Sequence, residues 1–224
     1  ALGDRKGAVV ALDAKTGAIL ALYSSPSFDP NALASRDAGE VQDAYATLDA
    51  DPKNPMLNRT ISERYAPGST FKVLTAIALI ENGIANPDTR MDSPVSTTLP
   101  GTNTEVSNIE SSTCGDGKPT LTEAFARSCN TTFVLASEKL TTQQLTDVTK
   151  RFGFGDEQEI PLTVIPSVFP SDADSAQLAM SSIGQYTVQA TPMQMAQVAQ
   201  TIANGGQMMS PYLIKQIVDA DNQT

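Results

Sequence analysis

The stretch that decides the fold is Pro67-Gly68-Ser69-Thr70-Phe71-Lys72, which opens an apolar run ending at Asn82-Gly83. Proline and glycine mark a turn, and a glycine just past the run is typical of a helix end, so we predict a helix from Thr70 to Asn82. Apolar residues surround this helix, which indicates a position in the middle of a domain. Ser69 and Lys72 lie one turn apart at its start and share a face.

The chain contains no histidine, so an activated serine must find another base. Lys72 is the candidate beside Ser69. Apolar neighbours and the positive end of the helix dipole both favour the neutral amine that a base requires. The same helix end offers the Ser69 N–H to a developing oxyanion. The alternative is a helix-capping serine beside an exposed lysine, since a bare Ser-x-x-Lys match arises by chance about as often as not.

A second candidate site is Ser128-Cys129-Asn130, which interrupts a helical region. A capping box at Thr120–Glu123 predicts a helix before it, and another helix follows to about Leu140. In a functional interpretation, Ser128 carries a proton between Lys72 and a leaving group, and Asn130 donates a hydrogen bond to a substrate carbonyl. In a structural interpretation, the same residues are ordinary in a turn between helices.

The order of predicted elements indicates an α+β fold. Gly7–Leu12 and Ala18–Tyr23 predict a β-hairpin around a turn that ends at Gly17. Both strands are nearly continuously apolar, which predicts a sheet covered on both faces. Lys15-Thr16-Gly17 is interpreted as a plain part of the hairpin turn.

We divide the chain into an N-terminal hairpin and connection (1–65), a helical lobe with the candidate site (66–206) and a strand returning to the sheet (207–224). The catalytic groups are expected between the lobes. Besides those already named, helices are predicted at about 40–48, at 142–151 and from Thr191-Pro192 to Asn204, with threonine as the cap and proline at the first position.

Composition excludes several classes of function. With 15 basic and 25 acidic residues the net charge is -10, which argues against nucleic acid and against an anionic membrane surface as partners. No apolar run approaches the roughly 18–20 residues of a membrane span. Two cysteines, Cys114 and Cys129, and no histidine argue against a zinc site, and no cofactor is expected. At this point the cysteines are either buried free thiols or a disulfide.

The two candidate sites together resemble the first two active-site motifs of penicillin-binding transpeptidases and serine β-lactamases. Further stretches, in the same order along nearly the whole chain, narrow the resemblance to class B penicillin-binding protein transpeptidase domains, most like the actinobacterial penicillin-binding protein A group. These stretches are Ala11–Asp13, Thr16–Ala21, Ser25–Asn31, Asn58–Thr60, Phe152–Gly155, Ser182–Gln185, Thr191–Ala196 and Ile202–Gly206. The resemblance implies an α+β, penicillin-binding/β-lactamase-like fold, with an antiparallel sheet lobe beside a helical lobe.

The resemblance also implies residue roles: Ser69 is the nucleophile, Lys72 its general base, and Ser128 and Asn130 the second motif. The implied enzyme is a D,D-transpeptidase that cross-links peptidoglycan stem peptides ending in D-Ala-D-Ala and is acylated by β-lactams. Such enzymes work outside the cytoplasmic membrane, and the parent protein is expected to be membrane-anchored and tied to cell-wall or division machinery. An oxidising compartment favours the disulfide Cys114–Cys129.

One motif of the family is missing. No Lys-Thr-Gly occurs between Asn130 and Thr224, although the family carries one on a strand that supplies an oxyanion N–H and the substrate-carboxylate site. We therefore expect a partial domain without its C-terminal sheet strands, not fully active alone. Three rival functions stay open: a β-lactamase, for which Glu159 is the nearest glutamate but in unlike surroundings, a penicillin-sensing receptor domain, and a non-catalytic module.

Overall fold

The computed structural model describes residues 2–3 and 5–217. Within them lie six β-strands and eight α-helices. The strands are β1 (Gly7–Leu12), β2 (Ile19–Ser25), β3 (Ser96–Thr98), β4 (Glu105–Ser107), β5 (Gln158–Glu159) and β6 (Thr163–Val164). The helices are α1 (Ala38–Asp49), α2 (Arg59–Ser62), α3 (Lys72–Glu81), α4 (Leu121–Ala126), α5 (Asn130–Ser137), α6 (Thr142–Arg151), α7 (Ser175–Ser181) and α8 (Pro192–Ala203). The strands pair as three antiparallel ribbons: β1 with β2, β3 with β4, and β5 with β6.

The chain forms two compact units. The first contains the described residues up to 64, residues 157–165 and residues 191–217, and the second contains residues 65–156 and 166–190. This division differs from the predicted one, which placed all of 66–206 in a helical lobe. The reason is packing, because Met193 of α8 is fully buried in the core of the first unit.

The core of the first unit lies on one face of the β1–β2 hairpin. Ile61, Val164 and Met193 are buried there, and the partly buried Val10, Leu12, Ile19, Leu22 and Ile160 pack against them. The opposite face is open within the described residues: Val9 is 46% and Tyr23 49% exposed, and Leu20, at the bulge, is 67% exposed. The prediction of a hairpin covered on both faces is therefore wrong for this part of the chain.

The turn between β1 and β2 is built by Asp13. Its Oδ1 accepts hydrogen bonds from the backbone N–H groups of Lys15 and Thr16 and from the Thr16 hydroxyl, which lowers the pKa of Asp13. Gly17 completes the turn with φ of +80°, a conformation that favours glycine. Lys15-Thr16-Gly17 is thus the plain turn that the sequence predicted.

The predicted return strand at 207–224 is reduced to a single bridge within the described residues. Tyr212 pairs in parallel with Ala18, and its carbonyl accepts the Ile19 N–H at 3.0 Å. Residues 213–217 do not continue as a strand. The remainder of the predicted strand, 218–224, lies outside the described residues.

The second unit is built around α3. A 3₁₀ turn, Gly68–Phe71, leads into the helix, so the helical run begins close to the predicted Thr70. Phe71 is fully buried between two other aromatic rings, with its centroid 5.9 Å from that of Phe154 and 5.8 Å from that of Phe169. These contacts anchor the Gly68–Phe71 turn on the core of the unit, and Ser69 lies in that turn.

One face of α3 stays open within the described residues, although the sequence predicted a helix buried in the middle of a domain. Ile80 is 45% exposed, and the half-buried Val73 and Ile77 line a cavity of about 230 Å³ that also contacts Phe125 of α4. Part of the apolar surface of α3 is therefore left uncovered by the described residues of the second unit. No helix of residues 2–3 and 5–217 combines the length and the apolarity needed to cross a membrane.

Helix boundaries follow the capping signals. Thr120 caps α4 in a capping box with Glu123, and Thr191 caps α8 by accepting the Gln194 N–H, as predicted. Helix α7 is not among the elements predicted from the sequence. Its signal is the capping box of Asp174, with glutamine as its partner three residues later.

Candidate active site

Lys72 is the first residue of α3, and three oxygen atoms surround its amino group. Nζ lies 2.8 Å from the Ser128 carbonyl oxygen, 3.0 Å from Ser128 Oγ and 2.7 Å from Asn130 Oδ1. The centroid of the Phe133 ring lies 5.6 Å from Nζ. The structure thus brings three of the four predicted site residues into direct contact, all of them within the second unit.

Among the residues that the structure describes, the groups that contact Lys72 Nζ are neutral: a hydroxyl, a carbonyl, an amide and an aromatic ring. Lys72 is 1% exposed. Burial disfavours the ammonium form and lowers the pKa of Lys72 from 10.5 to about 8. About one tenth of the amine is therefore neutral at pH 7, which gives a usable population of a general base.

Ser128 has a left-handed backbone conformation, with φ of +57°. It closes α4 in a Schellman motif: the Cys129 N–H donates to the Ala124 carbonyl at 2.9 Å, and the Ser128 N–H donates to the Phe125 carbonyl at 3.0 Å. A residue other than glycine costs about 1–2 kcal/mol here. Serine offers Lys72 both a carbonyl and a hydroxyl, whereas glycine would offer the carbonyl alone.

Asn130 begins α5, and two contacts orient its side-chain amide. Nδ2 donates to the Ser107 carbonyl at 3.0 Å, and Oδ1 faces the lysine. The N-cap residue of α5, Cys129, makes no side-chain capping bond. The Thr131 N–H instead donates to Oδ1 of Asn108 at 3.0 Å, so α5 is capped by another segment of the chain.

Ser69 is exposed in the 3₁₀ turn before α3. The Lys72 N–H donates to the Ser69 carbonyl, so the two residues lie one turn apart, as predicted. Gly184 supports this turn, because its carbonyl accepts the Gly68 N–H at 2.9 Å. A Cβ on Gly184 would overlap the Gly68 carbonyl oxygen and lie 2.7 Å from Phe71 Cβ. A side chain at position 184 would therefore displace the turn that holds Ser69.

A disulfide joins Cys114 and Cys129, whose Cα atoms lie 5.9 Å apart. Both cysteines are buried. Cys129 is the middle residue of Ser128-Cys129-Asn130, so the bond ties the preceding loop to the turn that carries both motif side chains. Its presence in solution stays a prediction.

The parts of the site that hold the second motif, the β3–β4 hairpin and Asn108, are not among the elements predicted from the sequence. Ser and Thr residues around Pro100-Gly101, followed by Thr104–Val106, are the hairpin signal that could have found them. Gly184 belongs to one of the stretches that resemble the family, but its support of the turn that carries Ser69 follows only from the tertiary structure.

A family model described as the penicillin binding protein transpeptidase domain matches residues 7–224. Peptidoglycan D,D-transpeptidase PbpA of Mycolicibacterium smegmatis is 46% identical over 225 residues, covering 99% of this chain and 45% of that protein. PbpA of Mycobacterium tuberculosis is 43% identical over 222 residues, covering 98% of this chain and 45% of that protein. The chain therefore spans about half the length of the curated relatives it matches.

A solved structure has the same fold. Penicillin-binding protein A from M. tuberculosis, as a penicillin G acyl-enzyme complex, superposes with a TM-score of 0.92 at 43% identity, covering 97% of this chain and 50% of that chain. The predicted fold and the predicted likeness to the penicillin-binding protein A group are both confirmed.

We expect the unreduced, denatured protein to show no free thiol, because Cys114 and Cys129 are bonded to each other. Thiol titration before and after reduction measures this, with two thiols expected after reduction. A Cys114→Ser variant is the control and should show one thiol without reduction. In the chain-entropy model the bond contributes about 3 kcal/mol to the free energy of unfolding. Two thiols without reduction would contradict the prediction.

Proposed function

This chain belongs to the penicillin-binding protein transpeptidase family, and on this basis we propose that its parent protein is a serine D,D-transpeptidase that cross-links peptidoglycan. The observation that carries the proposal is the buried amine of Lys72, with a pKa of about 8, bound by Ser128 and Asn130 one turn from an exposed Ser69. A buried lysine without a carboxylate contact is costly for a fold, and a use as general base would account for that cost.

In the first half of the proposed reaction, Ser69 Oγ attacks the carbonyl carbon of the penultimate D-Ala of a stem peptide. The Oγ proton passes to the neutral Nζ of Lys72, and the carbonyl oxygen becomes the oxyanion of a tetrahedral intermediate. The Ser69 backbone N–H, in the first turn of the helical run, is one donor to that oxyanion. The C–N bond then breaks, and terminal D-Ala leaves as an amine.

The leaving amine needs a proton, and Ser128 is the proposed carrier. Its Oγ lies 3.0 Å from Lys72 Nζ, so it can pass its own hydrogen to the amine and recover one from the lysine. Asn130 Nδ2 carries two hydrogens, of which the Ser107 carbonyl takes one. The second is proposed to bind a carbonyl oxygen of the substrate.

In the second half, an amine of another stem peptide attacks the Ser69 ester. Lys72 or Ser128 takes its proton, and Ser69 Oγ leaves with a proton returned from Lys72. A β-lactam enters the first half in the same way, but its C–N bond is part of a ring, so the broken fragment stays attached and blocks the second half. We propose that the parent protein acts on the extracytoplasmic side of a bacterial membrane, anchored there and associated with cell-wall synthesis.

We expect the protein at its natural length to gain the mass of one penicillin when it is exposed to the antibiotic, because Ser69 forms a stable ester. Intact-mass measurement over time is the test. Ser69→Ala should show no adduct, and the exposed Ser171→Ala is the matched control. Rapid loss of the adduct would identify a β-lactamase instead, and no adduct on the unmodified protein would refute acylation.

The acylation rate should depend on pH through Lys72, since the amine must be neutral. With a pKa of about 8, the rate constant should rise about tenfold between pH 7 and pH 9 and then level off. Stopped-flow measurement across pH 6–10 gives the rate constant of acylation at each pH. Lys72→Arg should abolish acylation. A rate constant that keeps rising to pH 10 would mean that burial does not lower the pKa of Lys72.

Gly184→Ala should slow acylation by about 100-fold, because the new Cβ displaces the turn that holds Ser69. Gly83→Ala is the matched control: Gly83 also has positive φ, +67° against +70°, but a Cβ there meets nothing within 4 Å among the described residues. Both variants carry the same backbone cost, so the ratio of their acylation rate constants isolates the collision at Ser69. Equal rate constants would contradict this role of Gly184.

A further inference from the structure

We propose that Asn108 is a positioning residue of the acyl-transfer reaction, which holds the end of β4 against the first turn of α5 and thereby fixes the amide orientation of Asn130 beside Lys72. The inference rests on the proposed function and concerns the same site. Asn108 lies in a different part of the chain from either motif, after the last residue of β4.

The orientation of Asn130 is decided by its neighbour Ser107. A carbonyl oxygen accepts hydrogen bonds and cannot donate them, so the atom 3.0 Å from the Ser107 carbonyl must be Nδ2. Oδ1 then faces Lys72 Nζ at 2.7 Å. If the amide were turned over, Oδ1 would oppose the Ser107 carbonyl and Nδ2 would point its hydrogens at the lysine. The first contact would set two acceptors against each other in either protonation state of Lys72, and the second would be unfavourable whenever the lysine is charged.

This orientation determines where the lone pair of the neutral lysine points. A neutral amine has two hydrogens and one lone pair. The Ser128 carbonyl and Asn130 Oδ1 can only accept, and they take the two hydrogens. The lone pair is left for a serine hydroxyl. Ser128 Oγ lies 3.0 Å away, and because a hydroxyl can rotate, it can leave the lone pair free for the Ser69 proton. A turned Asn130 would instead direct a fixed amide N–H at the lone pair and block the group that must accept that proton.

Asn108 connects the segments that create this arrangement. Its Nδ2 donates to the carbonyls of Pro94 at 3.0 Å and Ser112 at 3.1 Å, and its Oδ1 accepts from the Thr131 N–H at 3.0 Å. Because Ser107 precedes Asn108 and Asn130 precedes Thr131, these bonds set the distance between the Ser107 carbonyl and the Asn130 amide. One side chain thus joins three backbone segments.

The surroundings of Asn108 argue for a specific role rather than general packing. It is 8% exposed although its neighbours Ser107 and Ile109 are exposed, so a single polar side chain turns inward from a surface segment. Its partner Thr131 is fully buried, and the Thr131 hydroxyl also contacts the Ser93 hydroxyl and the Pro94 carbonyl, at 3.1 and 2.8 Å. The network ends at the helix terminus that carries Asn130.

Asn108→Ala in the protein at its natural length tests the proposal, with Asn103→Ala as the matched control. Asn103 is an exposed asparagine in the same β3–β4 hairpin. The readout is the rate constant of acylation by a fluorescent penicillin across pH 6–10, normalised to the fraction of protein that can be acylated. The plateau is the level that this rate constant reaches at high pH. We expect the plateau to fall about 10–100-fold in Asn108→Ala and to change less than about twofold in Asn103→Ala.

The pH profile separates a positioning role from a merely structural one. A turned Asn130 points N–H groups at Lys72, which disfavours the ammonium and lowers the pKa of Lys72 further. The acidic limb of the Asn108→Ala profile should therefore move to lower pH while its plateau falls. Loss of folded protein would lower the amplitude of acylation but would not move the limb.

A second pair of variants covers the case in which Asn108→Ala does not fold. Thr131→Val removes a hydroxyl that belongs to the Asn108 network, at 3.2 Å from Asn108 Oδ1. Thr132→Val removes the neighbouring buried hydroxyl, which has no hydrogen-bond partner among the described residues. Thr131→Val should lower the plateau and move the acidic limb in the same direction, and Thr132→Val should do neither.

The outcomes distinguish this inference from the proposed function. If the unmodified protein is not acylated, the proposed function fails and this inference fails with it. If the unmodified protein is acylated but Asn108→Ala and Thr131→Val keep its plateau and its acidic limb, this inference alone is overturned. A lower plateau with an unmoved limb also overturns it.

Discussion

The site depends on the burial of one amino group among neutral partners. Lys72 is 1% exposed, and no carboxylate contacts its Nζ within the described residues, so the free energy of desolvation acts on its pKa uncompensated. The three oxygens around Nζ keep the amino group hydrogen-bonded in either protonation state. The surrounding core must therefore be closed enough to exclude water and polar enough at three points to satisfy the amine.

The three oxygen atoms around Lys72 Nζ belong to residues at helix ends. The C-terminus of α4 turns through the left-handed Ser128, and the N-terminus of α5 begins two residues later with Asn130. Helix ends leave backbone groups unpaired, so they need partners from elsewhere. Here the Schellman bonds satisfy α4, and Asn108 caps α5. The second motif is therefore held by the same interactions that end one helix and start the next, and the disulfide from its middle residue, Cys129, joins it to Cys114.

Local signals in the sequence were sufficient to predict the bounds of an element where it is long, strongly capped or closed by a clear turn. The predicted bounds of the hairpin, of the helix after Lys72 and of the helix after Thr191 agree with the structure within about two residues. Short elements were missed, because α7 and the β3–β4 hairpin have few residues over which a period can be read. The assignment of α8 to the helical lobe was wrong, since α8 packs on the hairpin and sequence order does not report which apolar face packs on which.

By itself, the sequence determined the fold, the family and the chemical types available: a serine and a lysine one turn apart, no histidine, and a second serine and asparagine between two helices. These follow from local spacing and from the order of motifs. Tertiary structure alone decided that Lys72 is buried, which oxygens its amine meets, and that Asn108 holds Asn130. Most of the contacts that decide these features join residues 14 to 58 positions apart in the chain, where proximity depends on packing and not on spacing.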